Sequence, residues 1–117
     1  MAHDPECLFC RIASGEIPSR QVHADDTVVA FHDIAPRAPT HILLIPRDHI
    51  RSAAELTEDD APIVGHLFAV AARIAGEQGI ADAGYRIVTN VGRGGGQTVD
   101  HLHLHLMGGR PMTWPPG

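Results

Sequence analysis

The longest regular pattern of apolar positions in the chain has the period of an α-helix. Apolar residues stand at i, i+4, i+7 and i+11, a spacing that places them on one helical face. They are Ile63, Leu67, Val70 and Ile74. Thr57 is a favourable N-cap ahead of two first-turn aspartates, and Gly79 is a favourable C-cap. The pattern therefore predicts one long helix between Thr57 and Gly79 that buries a single face.

Shorter apolar segments, bounded by turn residues, are typical of β-strands. They predict strands at residues 20–24, 27–32, 40–45 and 85–89. Asp25 and Asp26 separate the first two strands, which indicates a hairpin, and Pro46 ends the third. A short helix is predicted at residues 7–13, and Gly15 ends it.

A fifth strand is predicted at residues 99–107 from a strict alternation of histidine and leucine, which runs from His101 to Leu106. Successive side chains of a strand point to opposite faces, so the three imidazoles form one row and the three leucines another. We expect the leucines to be buried in the core and the histidines to line a cleft. A row of histidines indicates a functional site, because imidazole acts as nucleophile and proton carrier near neutral pH.

Five strands joined mostly by short turns, together with one long helix, indicate an α+β fold. We expect a five-stranded antiparallel sheet, the long helix and the short N-terminal helix. The 117 residues suit a single domain, residues 1–117. Within it, residues 1–6 are expected to be disordered. Residues 108–117 form a C-terminal tail whose Trp-Pro-Pro-Gly ending cannot be helix or central strand.

The net charge and the absence of targeting signals indicate which partners and compartments to expect. The formal net charge is −5 with neutral histidines, and no run of basic residues occurs. Strongly basic surfaces are typical of proteins that coat nucleic acids, so a nucleic-acid polymer is not an expected partner. No segment has the roughly 20 apolar residues of a membrane helix, and the N-terminus lacks a signal-peptide pattern. We therefore expect a cytoplasmic protein that does not enter a membrane.

Two kinds of chemistry fit the histidine row. One is metal binding, because histidines at i and i+2 on a strand can share a ligand, and the other is covalent catalysis by one imidazole. His103, which has a histidine on either side, is the natural nucleophile. The preceding residues 90–98 are rich in glycine and carry polar donors in Asn90, Gln97 and Thr98. Such a loop can bind a phosphate through N–H groups, which favours the catalytic interpretation.

Residues 95–107 resemble the His-x-His-x-His motif of the histidine-triad (HIT) superfamily. Three further stretches, at residues 31–36, 38–46 and 108–117, resemble the Hint branch of that superfamily, the nucleoside phosphoramidases. The similarity covers nearly the whole chain from Cys7 onward. The resemblance implies a HIT-like fold and hydrolysis of the P–N bond in adenosine or guanosine phosphoramidates.

The resemblance also implies a mechanism. His103 would attack the α-phosphorus and form a nucleotidyl-histidine intermediate, which water then hydrolyses. His105 would contact the phosphate, and His41 would support the nucleophile from the neighbouring strand. The implied catalytic group is His103, His105, His41 and His101. Magnesium would not be required, and the chain lacks the lysine-bearing glycine loop of magnesium-dependent nucleotide enzymes.

A purine-nucleotide site of the AMP or GMP type follows from the same resemblance. Asp33 would bind the ribose hydroxyls, a role that suits an acceptor-only carboxylate. Asn90, Gln97 and Thr98 would bind the phosphoryl group and the leaving group. The implied set is Phe9, Phe31, His32, Asp33, Ile34, Asn90, Gln97 and Thr98. Two positions depart from the branch pattern, since Thr98 stands where serine is common and Asp100 where an aromatic residue is frequent.

Cys7 and Cys10 form a Cys-x-x-Cys pair. Without a secretory signal, this spacing indicates a metal pair or a redox pair rather than a structural disulfide. Two cysteines are only half a zinc site. Zinc-bearing members of the superfamily, which this chain resembles, add a Pro-x-x-His histidine and the first triad histidine. The resemblance thus implies structural zinc at Cys7, Cys10, His49 and His101. The alternatives are two buried free thiols or a redox pair.

The resemblance further implies a homodimer, with the long helices and one strand at the interface and Trp114 near the partner's active site. Other functions stay open. One is a dinucleoside polyphosphate hydrolase or nucleotidyl transferase, which the short chain and its tail disfavour. Another is a zinc-stabilised purine-nucleotide-binding protein with little turnover. A third is a metallohydrolase, although no carboxylate is spaced to complete a catalytic metal site beside His103 and His105.

Overall fold

Two α-helices and a single sheet of five β-strands form the fold. The computed structural model describes residues 2–117, so Met1, the first residue of the segment expected to be disordered, lies outside the described residues. The elements are α1 (Leu8–Ala13), β1 (Gln21–Ala24), β2 (Val28–His32), β3 (Thr40–Pro46), α2 (Ala61–Glu77), β4 (Tyr85–Val88) and β5 (Leu104–Gly108). The predicted α+β fold, with its short N-terminal helix and one long helix, is confirmed.

The sheet places β3 and β5 in its interior. All neighbouring strands pair antiparallel, in the order β1-β2-β3-β5-β4. Leu43 of β3 lies opposite His105 of β5, and His41 lies opposite Met107. This register makes His41 and His105 diagonal neighbours on one face of the sheet, close enough for their side chains to meet.

Both faces of the sheet are covered. α2 packs on one face, where its apolar side meets the leucines that alternate with the histidines. The buried residues of this contact include Leu67, Val70, Ile74, Leu102, Leu104 and Leu106. α1 packs on the other face, against Phe31, Leu43 and Ile45. The leucines therefore lie in the core, as predicted, and the histidine side of the sheet is enclosed by α1.

Regular pairing of the last strand starts at Leu104, later than the predicted start at residue 99. Before Leu104 the backbone bends, because the His101 N–H donates to the Val99 carbonyl at 2.9 Å and the Leu102 N–H donates to the Ile50 carbonyl at 2.6 Å. These hydrogen bonds take the place of the backbone hydrogen bonds between neighbouring strands that regular sheet pairing requires. The alternation of side chains nevertheless continues, since Leu102 lies in the α2 core and His101 contacts the N-terminus of α1.

Both ends of α2 are marked by residues that favour the start or the end of a helix. A short 3₁₀ turn, Glu58–Asp60, precedes the helix, so α2 itself begins later than the predicted Thr57 cap. Thr57 and Asp60 form a capping box, in which the Asp60 carboxylate accepts the Thr57 N–H at 2.9 Å. Gly79 follows the helix with a φ of +75°, a conformation that favours glycine. Neither α2 nor any other helix within residues 2–117 is long and apolar enough to cross a membrane.

The N-terminal segment contacts the loop that carries His49. The Ala2 N–H donates to the Asp48 carboxylate at 2.8 Å, and the Ala2 carbonyl accepts the His49 N–H at 2.9 Å. Further along, the Cys7 N–H donates to the Asp4 carbonyl at 3.0 Å. These contacts bring the beginning of the chain beside α1 and the end of β3.

Gly108 ends β5 where Ile80 approaches the backbone closely. A Cβ atom at position 108 would lie 2.7 Å from Ile80 Cδ1. We therefore expect Gly108→Ala to lower the free energy of unfolding by about 1–3 kcal/mol, the usual cost of overpacking, as measured by urea unfolding. Ile80→Val removes the Cδ1 atom, so a double-mutant cycle should show partial recovery. Equal losses with and without Ile80→Val would contradict this contact.

Candidate active site

A cleft of about 610 Å³ opens beside α1, on the face of the sheet opposite α2. Its walls are mainly apolar, with histidine and carboxylate side chains among them. The predicted site residues that line it are Phe9, Phe31, His32, Asp33, Ile34, Thr98, His103 and His105. The fold thus brings most of the predicted nucleotide site together from α1, β2, the loop after β2 and the β5 region, whereas Asn90 and Gln97 lie outside this cleft.

The His103 imidazole is held in one orientation by the backbone. Its Nδ1 lies 2.6 Å from the carbonyl oxygen of His101. A carbonyl only accepts hydrogen bonds, so Nδ1 carries the hydrogen and Nε2 keeps a free lone pair. The ring packs edge-on against Phe9, at 5.1 Å between centroids, and lies 5.0 Å from the His105 ring. His103 is therefore a buried, oriented imidazole whose unprotonated nitrogen can act as a nucleophile.

A second chain of hydrogen bonds orients His41 and His105. The Arg37 backbone N–H donates to His41 Nδ1 at 3.0 Å, so His41 carries its hydrogen on Nε2. That Nε2–H donates to His105 Nδ1 at 2.9 Å and lies 3.4 Å from an Asp33 carboxylate oxygen. His105 must then carry its own hydrogen on Nε2. It is thereby a hydrogen-bond donor in the same cleft in which His103 is an acceptor.

Burial keeps His41 and His105 neutral. Burial lowers the pKa of His105 to about 4, and positive charge on His103 or His41 would disfavour its protonation further. Burial also lowers the pKa of His41, although the Asp33 carboxylate opposes that effect. At neutral pH these two rings are therefore uncharged, as their hydrogen-bonding pattern requires.

Asp33 and Ile34 form the rim of the cleft. The Asp33 N–H donates to the His41 carbonyl at 3.0 Å, which places the carboxylate beside the histidines. One Asp33 oxygen accepts the Ala35 N–H at 2.8 Å. The Ile34 side chain is fully exposed at 101%. An apolar side chain without protein contacts at the mouth of an apolar cleft is a natural surface for a planar ligand.

Gln97, predicted to contact the phosphoryl group, uses its side chain to hold the glycine-rich loop. Its Oε1 accepts the Gly92 N–H at 2.9 Å. Its Nε2 donates to the Arg51 carbonyl at 2.8 Å and to the Val99 carbonyl at 3.0 Å. Both amide hydrogens thus have protein partners. Thr98, the next residue, is exposed and lines the cleft.

Four potential metal ligands converge where α1 begins. They are Cys7, Cys10, His49 and His101, whose ligand atoms all lie within 4.8 Å of one another. Cys7 Sγ lies 3.3 Å and Cys10 Sγ lies 3.6 Å from His101 Nδ1, and Cys10 Sγ lies 3.4 Å from His49 Nδ1. The predicted ligand set therefore comes close enough to hold a metal ion.

The protonation pattern of this cluster suits a cation. His101 Nε2 lies 2.8 Å from the Pro46 carbonyl, so its hydrogen is on Nε2 and the Nδ1 that faces the cysteines is unprotonated. Burial lowers the pKa of His101 to about 4 and raises the pKa of the Cys10 thiol. A buried thiolate is unfavourable without compensating charge, and a divalent ion provides that charge.

A separate cluster, formed by His23, Asp25 and His66, lies on the α2 side of the molecule. Both histidine Nε2 atoms contact Asp25 Oδ2, at 2.6 Å and 2.7 Å. Arg73 donates to His23 Nδ1, so the hydrogen of His23 is on the Nε2 that faces Asp25. Burial alone would raise the pKa of Asp25, but these hydrogen bonds outweigh it and hold that pKa well below its ordinary value. The cluster ties α2 to the β1–β2 turn.

The sequence does not reveal the backbone groups that orient the histidines. The Arg37 amide, the Pro46 carbonyl and the His101 carbonyl are present whatever the side chains are. The sequence feature that came closest to indicating these backbone groups is Pro46, which stands at the end of a predicted strand, just before the loop that carries His49.

The chain is similar to proteins of one family over most of its length. The model of the HIT domain matches residues 14–112. A purine nucleoside phosphoramidase of Escherichia coli (strain K12) is 48% identical over 107 residues, which cover 92% of this chain and 90% of that protein. An uncharacterised HIT-like protein of Synechococcus elongatus is 46% identical over 112 residues, which cover 96% of this chain and 97% of that protein.

Solved structures show the same likeness. A HIT family hydrolase from Legionella pneumophila superimposes with a TM-score of 0.95 at 50% sequence identity, covering 96% of this chain and 100% of that one. A histidine triad protein from Clostridium difficile superimposes with a TM-score of 0.92 at 42% identity, covering 95% and 96% of the two chains.

The low pKa of His105 predicts how stability depends on pH. Its ordinary pKa is 6.5 and its value in the fold is about 4, so between these pH values the unfolded chain binds a proton that the folded chain does not. The free energy of unfolding should therefore decrease as the pH falls from 6.5 toward 4, by up to about 1.4 kcal/mol per pH unit for one proton. Urea unfolding at several pH values measures this slope. His105→Asn should make it shallower, and identical slopes would contradict the prediction.

Proposed function

Because this chain belongs to the HIT domain family, we propose that it is a hydrolase that cleaves the P–N bond of purine nucleoside 5′-phosphoramidates, those of adenosine or guanosine. The observation that carries the proposal is the unprotonated His103 Nε2 in a mainly apolar cleft. The 48% identity to a purine nucleoside phosphoramidase supports the substrate class.

In the first step, the lone pair of His103 Nε2 forms a bond to the α-phosphorus. The P–N bond of the substrate breaks, and its electron pair leaves with the amine, which takes up one proton. The His101 carbonyl supports the positive charge that develops on the ring, because it already accepts the Nδ1–H at 2.6 Å. The product of this step is a nucleotidyl-histidine intermediate and a free amine.

In the second step, water attacks the same phosphorus. An O–P bond forms, the N–P bond breaks, and the electron pair returns to His103 Nε2. The water releases one proton, which balances the proton taken up by the amine. The enzyme regains its starting protonation, and the nucleoside monophosphate is the second product.

His105 and His41 would supply the electrostatic stabilisation of the phosphoryl oxygens in both steps. His105 Nε2–H is the donor to a phosphoryl oxygen, and His41 fixes that arrangement by donating to His105 Nδ1 at 2.9 Å. Donors that are already oriented do not have to reorganise as charge moves onto the equatorial oxygens. We propose that magnesium is not required, because neutral donors from the chain take this part.

The nucleotide would lie along the cleft. Phe9, Phe31 and the exposed Ile34 would contact the purine, with His32 beside them, since all of these line the same cavity. Asp33 would accept hydrogen bonds from the ribose hydroxyls. Thr98, on the cleft wall, would donate to the phosphoryl group, and Asn90 would act from the edge of the glycine-rich loop. Gln97 would act indirectly by holding that loop.

We propose that the metal held by the cluster at α1 is zinc. Two thiols and two imidazoles are the donor set of a closed, structural zinc site, and His101 presents an unprotonated Nδ1 to it. When bound, zinc would supply structural stability. The Pro46 carbonyl orients the His101 ring as an outer partner does in zinc sites. The free thiols of Cys7 and Cys10 suit the reducing cytoplasm, where we propose that the protein acts.

We propose a homodimer formed through β4 and α2. β4 is an edge strand, and such an edge presents unpaired backbone groups. Phe68 on α2 is 46% exposed and Tyr85 on β4 is 37% exposed. Exposed aromatic side chains and an open strand edge are each typical of a contact surface. Trp114 in the C-terminal tail is 82% exposed and would contact the partner's cleft.

Replacement of His103 tests the proposed function directly. His103→Asn retains an amide N–H that can donate to the His101 carbonyl but has no nucleophilic nitrogen. We expect the parent protein to release AMP from adenosine 5′-phosphoramidate and the variant to lose more than about 10³-fold in kcat. The matched control is His66→Asn, which removes an exposed histidine outside the cleft and should retain the parent rate. AMP binding without turnover by the parent would instead support a nucleotide-binding protein.

Metal analysis tests the zinc proposal. We expect freshly purified protein to contain about one zinc ion per chain, and Cys10→Ser to abolish zinc binding and lower the melting temperature. His23→Ala is the matched control, because His23 belongs to the other histidine cluster and its loss should leave the zinc content unchanged. Zinc well below one ion per chain in the parent, or equal zinc in both variants, would contradict the proposed site.

A further inference from the structure

The first turn of α1 lies between the cluster of potential metal ligands and the cleft. Cys7 caps the helix, and Cys10 lies one turn further on. Leu8 and Phe9, which stand between the two cysteines, line the cleft. Cys7, Phe9 and Cys10 also belong to one buried apolar cluster, together with Phe31 of the cleft wall. A change at the two sulfur atoms therefore takes place close to the surface that would contact the purine.

Phe9 is the side chain that joins this turn to the cleft. Its ring is 5% exposed and packs edge-on against His103, at 5.1 Å between centroids, and against Phe31, at 5.6 Å. It also lies 6.0 Å from the ring of His101, a member of the ligand cluster. Contacts between aromatic rings depend on their relative position, so a shift of the Phe9 backbone changes the wall of the cleft.

The two cysteines are placed to form a disulfide with each other. Their sulfur atoms lie within 4.8 Å, and the Cys10 N–H donates to Cys7 Sγ at 3.4 Å. The Cys-x-x-Cys spacing is one in which thiols form and break a disulfide reversibly. The chain has no further cysteine, so a disulfide within one chain can only join Cys7 and Cys10. Because the sulfur atoms must approach each other to form it, the bond displaces the first turn of α1.

Both thiols border cavities that admit a small oxidant. Cys7 lines a cavity of about 620 Å³, which also borders Leu8 and Thr98. Cys10 lines a smaller cavity of about 160 Å³. Hydrogen peroxide is small enough to enter either cavity. Cys7 is 9% exposed and Cys10 is 0% exposed, so Cys7 is the thiol that an oxidant reaches first.

We propose that Cys7 and Cys10 form a redox switch. Hydrogen peroxide joins them in a disulfide, which abolishes metal binding at α1 and displaces Phe9, so that the cleft binds its nucleotide less tightly. This proposal rests on the proposed function and on the proposed metal site.

The oxidation proceeds in two balanced steps. The Cys7 sulfur attacks one oxygen of hydrogen peroxide, the O–O bond breaks, and a sulfenic acid and one water molecule are formed. The Cys10 sulfur then attacks the Cys7 sulfur, the S–O bond breaks, and the leaving oxygen takes up the proton of the Cys10 thiol to form a second water molecule. Two thiols are oxidised to one disulfide, and one hydrogen peroxide is reduced to two water molecules.

The disulfide acts on the metal and on the nucleotide through different contacts. It removes two of the four potential metal ligands and leaves His49 and His101, too few for a closed zinc site. The nucleotide is affected through Phe9. The His101 carbonyl that orients His103 is a main-chain group and takes no part in the disulfide, so the effect is on binding rather than on the chemical step.

Calorimetry of AMP binding tests the switch in the intact protein. The zinc-loaded reduced protein is compared with protein that has been treated with hydrogen peroxide and then with catalase. We expect mass spectrometry to show the loss of two hydrogen atoms, a zinc-sensitive dye to detect released zinc, and the Kd for AMP to rise about fivefold or more. The KM for adenosine 5′-phosphoramidate should rise in parallel, with little change in kcat. Dithiothreitol with zinc should restore the Kd, which distinguishes the disulfide from methionine oxidation.

Two variants assign the effect to Phe9. Phe9→Leu should bind AMP more weakly than the parent and show about the same Kd before and after oxidation, although the disulfide still forms. Phe31→Leu is the matched control, because Phe31 lines the same cleft from β2, outside the turn that carries the cysteines. It should also weaken AMP binding but retain the response to oxidation. A response that persists in Phe9→Leu would overturn the role of Phe9.

The remaining outcomes distinguish the switch from the proposed function. No disulfide, equal zinc content before and after oxidation, or an unchanged Kd would overturn the switch and leave the phosphoramidase activity standing. If the reduced protein neither cleaves adenosine 5′-phosphoramidate nor binds AMP, the proposed function fails. The NMR shifts of the His103 ring protons then decide the switch, because this ring packs against Phe9. A change on oxidation that is absent in Phe9→Leu supports it, and unchanged shifts overturn it.

Discussion

The hydrogen bonds between buried imidazoles and backbone groups are the constraint on which the rest of this site depends. A carbonyl oxygen can only accept and an amide N–H can only donate, so each of these contacts decides which ring nitrogen is protonated. The Pro46 carbonyl fixes His101, the His101 carbonyl fixes His103, and the Arg37 amide fixes His41 and, through it, His105. Among side chains of identical chemistry, these contacts leave Nε2 of His103 and Nδ1 of His101 without a hydrogen, and they place a hydrogen on Nε2 of His105.

These contacts depend on the position of β3 and β5 in the middle of the sheet. Pairing on both sides and packing on both faces hold the two strands that carry the histidines. Burial removes the rings of His41, His101 and His105 from water, which disfavours their charged forms and lowers their pKa values. Burial therefore sets the protonation state of these rings, whereas the backbone hydrogen bonds set their orientation.

Much of the fold was predictable because hydrophobic periodicity reports burial directly. The buried side of α2 and the leucine side of residues 102–106 follow from spacing alone. The start of β5 did not, since the bend before Leu104 depends on a hydrogen bond to Ile50 from a distant part of the chain. The hydrogen-bond partners of the Gln97 side chain could not be predicted either. A glutamine in the sequence does not indicate whether its amide will bind a ligand or a backbone carbonyl. Resemblance predicted the ligand and histidine sets, but not the backbone groups that orient the rings.

His103 donates its Nδ1–H to the main-chain carbonyl of residue 101, whereas the side chain of residue 101 belongs to the cluster of potential metal ligands. Every residue type has a main-chain carbonyl, so the acceptor for His103 does not depend on the side chain at position 101. Substitution of Cys7, Cys10 or the imidazole at position 101 would remove a potential metal ligand and leave the carbonyl that accepts the His103 Nδ1–H, provided that the new side chain fills the same buried space. The potential metal cluster and the orientation of His103 can therefore be altered separately by mutation, although both involve residue 101.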